Sequence, residues 1–206
     1  MKQQKETICY LVRHGHPQLP DGRKYYLGQT DLPLSPQGIA QAQWLEQFFA
    51  QQPVTAIYHS PLCRCRQTAE IIGGQRIPCR PVADLQEIAM GQWEMLPMAQ
   101  VKQQYPQAYW QRGQQIAQFC PPGGESFVQC QQRSIAALQQ IAAWQPAGSA
   151  CVIVAHAGVN RCLLSWVNGQ PLEQLLTIAQ PYGCITPLIW DGMWRAEQSI
   201  FCPVQV

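Results

Sequence analysis

Short apolar runs that stop at polar residues set the rhythm of this chain. Ile8-Cys9-Tyr10-Leu11-Val12 and Cys151-Val152-Ile153-Val154-Ala155 are apolar throughout, the pattern of strands buried on both faces of a sheet. Weaker strand patterns fall at 54–58 and 77–82, and closing strands at 184–190 and 194–201. Helical spacing fills the intervals. Ser35 as N-cap and Pro36 in the first turn predict a helix to Ala50, with Ile39, Ala42, Leu45 and Phe49 on its core face. Ser60-Pro61 repeats that signal before a helix of about 62–72, Ser126 opens a long one ending near Trp144, and a further helix spans 159–167. Alternating strands and helices predict a layered α/β fold.

From Pro97 to Pro122 the pattern changes. Gln-rich helical segments carry Tyr105, Tyr109, Trp110 and Phe119 and break at Pro106. We read residues 92–123 as a small helical lid over the site of a single domain spanning 1–206. No internal repeat and no linker divides the chain.

At 206 residues the chain is long enough for a sizeable core. Hydrophobic residues make up 47% and charged ones 13%, so neutral polar side chains, chiefly Gln, must cover the surface. A formal net charge of +2 argues against nucleic acid or an anionic membrane as partner. No apolar run approaches a membrane span, and residues 1–6 are charged without a secretory apolar stretch behind them, so the expected location is the cytoplasm. The ten cysteines are scattered, and Cys63 with Cys65 is the one close pair, so reduced thiols rather than a disulfide framework or a metal site are expected.

The chemistry lies where the apolar runs end. Arg13-His14-Gly15 closes the first, His156-Ala157-Gly158 follows the strand at 151–155, and Arg64 lies just beyond the strand at 54–58. Ligands of open α/β sheets bind at the carboxyl ends of strands. Two guanidiniums and two imidazoles there suit a phosphate. The arginines offer forked donors to its oxygens, and neutral His14 can attack phosphorus to form a phosphohistidine. A protonated His156 adds a third cationic donor, and the backbone at Gly158 can approach the anion.

These residues sit within six motifs in order: Leu11-Val12-Arg13-His14-Gly15, Gly28-Gln29-Thr30-Asp31-Leu32-Pro33-Leu34-Ser35, residues 60–69, residues 87–94, Gly123-Gly124-Glu125-Ser126, and Val154-Ala155-His156-Ala157-Gly158. In this the chain resembles the histidine phosphatase superfamily, the phosphoglycerate-mutase-like clan, over nearly its whole length. The resemblance implies a three-layer α/β sandwich, with a mixed, mostly parallel sheet flanked by helices on both faces. It gives His14, His156, Arg13 and Arg64 the roles above and makes Glu87 the general acid; Asp84 and Glu94 rank as structural neighbours. No metal site is visible in the residues, and neither a metal nor a cofactor is expected. Many relatives carry an acidic or polar residue after the glycine and an Asn six residues after the nucleophile; here those places hold His16 and Pro20. Gln18, or Gln29 and Thr30, is the expected replacement contact to the substrate.

Gly91-Gln92-Trp93-Glu94-Met95 resembles the corresponding stretch of α-ribazole phosphatases. With only Lys102 and Arg112 in the lid, a phosphomonoesterase acting on a ring-bearing ester is expected, with α-ribazole 5′-phosphate of cobalamin synthesis as the single best substrate. A phosphoglycerate mutase-like or broad-specificity sugar phosphatase is the alternative, and a non-catalytic phospho-ligand binding module the distant one. The expected partner is a small phosphate monoester, and the expected assembly a monomer or homodimer.

Overall fold

The computed structural model describes residues 6–204, so the start of the charged stretch at 1–6 lies outside the described residues. In chain order the elements are β1 (Thr7–Arg13), α1 (Pro36–Phe49), β2 (Val54–His59), α2 (Cys63–Gly73), β3 (Cys79–Pro81), α3 (Met98–Gln104), α4 (Pro106–Gln114), α5 (Phe127–Trp144), β4 (Ala150–Ala155), α6 (Ala157–Val167), β5 (Ile185–Trp190) and β6 (Trp194–Ala196). The sheet runs β3-β2-β4-β1-β5-β6. β3, β2, β4 and β1 are mutually parallel, whereas β5 and β6 join antiparallel.

The unbroken apolar runs are explained by burial on both sheet faces. Tyr10, Val12, Val152 and Val154 pack with Leu45 and Phe49 of α1 and Ala69 and Ile72 of α2. The alternate residues Cys9, Leu11, Cys151 and Ile153 face Leu138 and Ile141 of α5 and Cys162 and Leu163 of α6. The result is the three-layer sandwich with helices on both faces.

Several boundaries move. α1 is capped as expected, Ser35 Oγ accepting from the Gly38 amide, but Ile39 is exposed rather than in the core. α2 begins at Cys63, and its first amide is held by Asp31 Oδ1 at 2.5 Å; Ser60 is not its N-cap. A carboxylate there also suits the positive end of the helix. The strand expected at 77–82 contracts to β3 and the last one to β6, with Ile200 adding a single bridge to Ile185. α6 starts at Ala157, directly after His156. α3 and α4 meet at Pro106, where the sequence breaks. All ten cysteines are free thiols. Among the described residues, no helix is long and apolar enough to cross a membrane.

Candidate active site

Parallel pairing brings three strand ends together. Arg13 lies opposite Ala155 in the β1–β4 register, so His14 and His156 leave adjacent strands side by side, with ring centroids 5.0 Å apart. β2 ends beside them at His59-Ser60, and the first turn of α2 carries Arg64 inward. His14, Arg64, Glu87 and His156 are all buried. Thr68, one turn beyond Arg64, accepts from the Gly15 amide and so fixes the loop after the nucleophile.

His14 Nδ1 lies 2.7 Å from the carbonyl of Gly15. A carbonyl only accepts, so Nδ1 carries the proton and Nε2 keeps its lone pair. Arg64 Nε donates to that nitrogen at 3.3 Å. Burial, then Arg64 and Arg13, hold the His14 pKa well below the ordinary histidine value. The ring is a neutral imidazole with its free nitrogen set among cations.

Burial, then Arg64, His14 and Arg13, push the His156 pKa well below the ordinary histidine value too, which favours the neutral ring. Its Nε2 bonds Ser60 Oγ at 2.8 Å, and that oxygen also accepts from the Leu62 amide just ahead of α2. Arg13 stacks its guanidinium 3.6 Å from the centroid of the Tyr182 ring and donates from Nη1 to the carbonyl of Gln180, while Nε has no partner.

Glu87 lies against the start of α6. Its Oε2 accepts from the Gly158 amide at 3.1 Å, and Oε1 accepts from Val159 at 3.3 Å and Ile88 at 3.0 Å. Gly158, expected at the anion, lines the cavity of the site, and its amide is bonded to Glu87. A Cβ at position 158 would stand 2.5 Å from Glu87 Oε1, so the glycine leaves room for the carboxylate.

Gln29 and Thr30, the expected substrate contacts, are bonded to the residues that build the site. The Gln29 side-chain amide donates to the Glu87 carbonyl, and the Thr30 carbonyl accepts from Arg64. Gln18 is exposed and lines no cavity of the site.

Arg13, His14, Arg64 and Glu87 open on a cavity of about 220 Å³, walled further by Tyr26, Phe127, Arg112 and Arg161. A second cavity of about 540 Å³ adjoins it, shares Arg13, Tyr25, Arg161 and Tyr182, and adds His16 and Lys24. The expected aromatic contacts of the lid are not there. Trp110 is exposed, and Tyr105 and Phe119 stack on the buried Trp93. Arg112 and Met98 are what that segment gives the cavity. Arg161, Tyr25 and Tyr182 escaped the sequence reading. Arg161 had a signal, lying in the second turn of the helix that His156 opens; Tyr182 is brought to Arg13 only by the pairing of β5 with β1. Among the described residues, no group of three His, Cys, Asp or Glu side chains could hold a metal ion.

A buried neutral imidazole flanked by two guanidiniums and a carboxylate is equipped to bind an anion, attack it and handle a proton. The sequence profile of the histidine phosphatase superfamily (branch 1) matches residues 9–199. The probable phosphoglycerate mutase GpmB of Proteus mirabilis (strain HI4320) is 36% identical over 168 residues, covering 79% of this chain and 75% of that protein. Bacillus stearothermophilus YhfR superposes with a TM-score of 0.84 at 31% identity, over 92% of this chain and 94% of its own. A putative alpha-ribazole-5′-P phosphatase from Escherichia coli K-12 superposes with a TM-score of 0.83 at 25% identity, over 93% and 94%. The chain belongs to the histidine phosphatase superfamily, branch 1, and is a phosphatase.

Proposed function

We propose that the protein hydrolyses a phosphate monoester through a phosphohistidine at His14. The observation that carries this reading is the Nδ1–H bond to Gly15, which leaves the His14 Nε2 lone pair facing Arg64. Arg13 and Arg64 hold the phosphoryl oxygens and His14 Nε2 attacks phosphorus in line. The ester P–O bond breaks, and its electron pair leaves with the alkoxide, which takes a proton from the Glu87 carboxyl. Glu87, now a carboxylate, removes a proton from water. The hydroxide forms a new bond to phosphorus, the N–P bond breaks, and free phosphate departs. His156 donates to the phosphoryl group once the bound dianion offsets the surrounding arginines.

Among substrates we favour α-ribazole 5′-phosphate. Tyr25, Tyr26, Tyr182 and Phe127 give the two cavities ring-sized apolar walls, which replace the lid aromatics as the contact for a planar leaving group. The likeness to the E. coli alpha-ribazole-5′-P phosphatase supports the same choice. Residues 92–123 then act as the lid over that leaving group, through Met98 and Arg112. A cytoplasmic place in cobalamin synthesis goes with this substrate.

A second reading has its own observation. Arg161 and Lys24 line the adjoining cavity, and neither forms an ion pair with a carboxylate among the described residues. An acidic leaving group, as in a phosphoglycerate, would supply the missing charge.

Phosphate release from α-ribazole 5′-phosphate, 3-phosphoglycerate and a sugar-phosphate panel separates the two, with His14→Ala as the blank. Preference for the ribazole ester supports the first reading. Preference for phosphoglycerate, lost in Arg161→Ala, supports the second.

A further inference from the structure

Arg64 is 1% exposed, and among the described residues no carboxylate forms an ion pair with it. A buried guanidinium needs its charge and its donors satisfied. Its Nη2 donates to the Gly28 carbonyl at 2.6 Å and Nη1 to the Thr30 carbonyl at 2.8 Å. The amides of that same loop turn the other way. Glu94 Oε1 accepts from Gly28 at 2.8 Å and Thr30 at 3.1 Å, and Oε2 accepts from Gln29 at 3.1 Å. The peptide unit between Gly28 and Gln29 thus joins the two charges, its C=O toward Arg64 and its N–H toward Glu94. A peptide polarised from both ends strengthens both bonds.

The spacing leaves no slack. A Cβ at Gly28 would stand 2.4 Å from the Ile88 carbonyl and 2.6 Å from Glu94 Oε2, so any side chain there would part the loop from Glu94.

We propose that Glu94 is a positioning residue for Arg64: a counter-ion one peptide removed, which holds the guanidinium with Nε on His14 Nε2 and thereby sets affinity for the phosphoryl group. This rests on the reading of Arg64 as a phosphoryl ligand. A Glu94 that only anchored the loop would act on stability, and on binding independently of Arg64. A Glu94 that works through Arg64 loses its effect on binding once the guanidinium is gone.

The test is a double-mutant cycle read by orthovanadate binding, which needs no turnover, with thermal denaturation to establish that each protein is folded. Glu94→Gln is expected to weaken orthovanadate about tenfold and Arg64→Ala about a hundredfold, the scale of charge-assisted hydrogen bonds. The double variant is expected to bind no more weakly than Arg64→Ala. Wild-type affinity in Glu94→Gln overturns the proposal, as does an equal further loss in the Arg64→Ala background. Wild-type affinity in Arg64→Ala removes Arg64 from phosphoryl binding, and the proposal with it. Should Glu94→Gln fail to fold, Glu94→Asp keeps the charge, shortens the reach and takes its place in the cycle.

Discussion

Arg64 Nε points at His14 Nε2 from 3.3 Å, so a buried cation guards the one ring nitrogen of His14 that carries no proton. The nucleophile is kept in its reactive form by the group that also receives the phosphoryl oxygens. An entering phosphate has only to displace this bond to meet both.

That pairing fixes the acid limb of activity. The nucleophile must be neutral, and its pKa lies well below the usual histidine value of 6.5. As pH falls from 7, kcat/KM of the free enzyme is therefore expected to hold its value through 6.5 and fall only below it. A profile bending at 6.5 would contradict the geometry, provided the substrate's own phosphate ionisation is allowed for.

Stability follows the same groups. His14, His156 and His59 all have folded pKa values below the unfolded one, chiefly through burial. Below pH 6.5 the unfolded chain binds more protons than the folded one, so stability present above 6.5 is lost as the pH falls toward the folded values. The urea midpoint should be lower at pH 5 than at pH 7, by a smaller margin in His156→Gln. Equal midpoints in the wild type would rule out buried neutral histidines.

Glu87→Gln keeps the shape and removes the transferable proton. Hydrolysis of alkyl esters should slow about 10²–10⁴-fold. p-Nitrophenyl phosphate, whose leaving group scarcely needs a proton, should slow far less. Equal losses on both substrates would take the acid role away from Glu87.

Gly158→Ala tests the seat of that carboxylate. The new methyl would stand 2.5 Å from Glu87 Oε1 and must displace it. Misplacing a catalytic group by about 1 Å can cost about 10²-fold. The loss should again fall on alkyl esters more than on p-nitrophenyl phosphate. An alanine variant with wild-type rates on both would show that the Gly158–Glu87 contact is dispensable.

Local chemistry made much of this legible. Ser35-Pro36 and Ser126 start helices where they stand, because capping depends on a few neighbouring residues. Uniform apolarity at 8–12 and 151–155 announced doubly buried strands, and the residues that end them meet at the site. The rest depends on distant partners. Ser60 Oγ does accept from the Leu62 amide at the helix start, but it is also bonded to His156, 96 residues away, and Asp31 holds the first amide of the helix itself. Gln29, Thr30 and Gly158 lie where ligands were expected, and their amides and carbonyls are bonded to Glu94, Arg64 and Glu87. The aromatics of 97–122 carry no mark that separates packing on Trp93 from lining a cavity. Tyr182 reaches Arg13 only through sheet pairing, which no local pattern encodes.

The central claim is the covalent intermediate at His14. A radiolabelled monoester mixed with enzyme and quenched in alkali during turnover should leave an acid-labile label on the peptide containing His14. His14→Ala should show neither label nor turnover. Turnover by His14→Ala, or a wild type that turns over with no label at His14, would contradict the account.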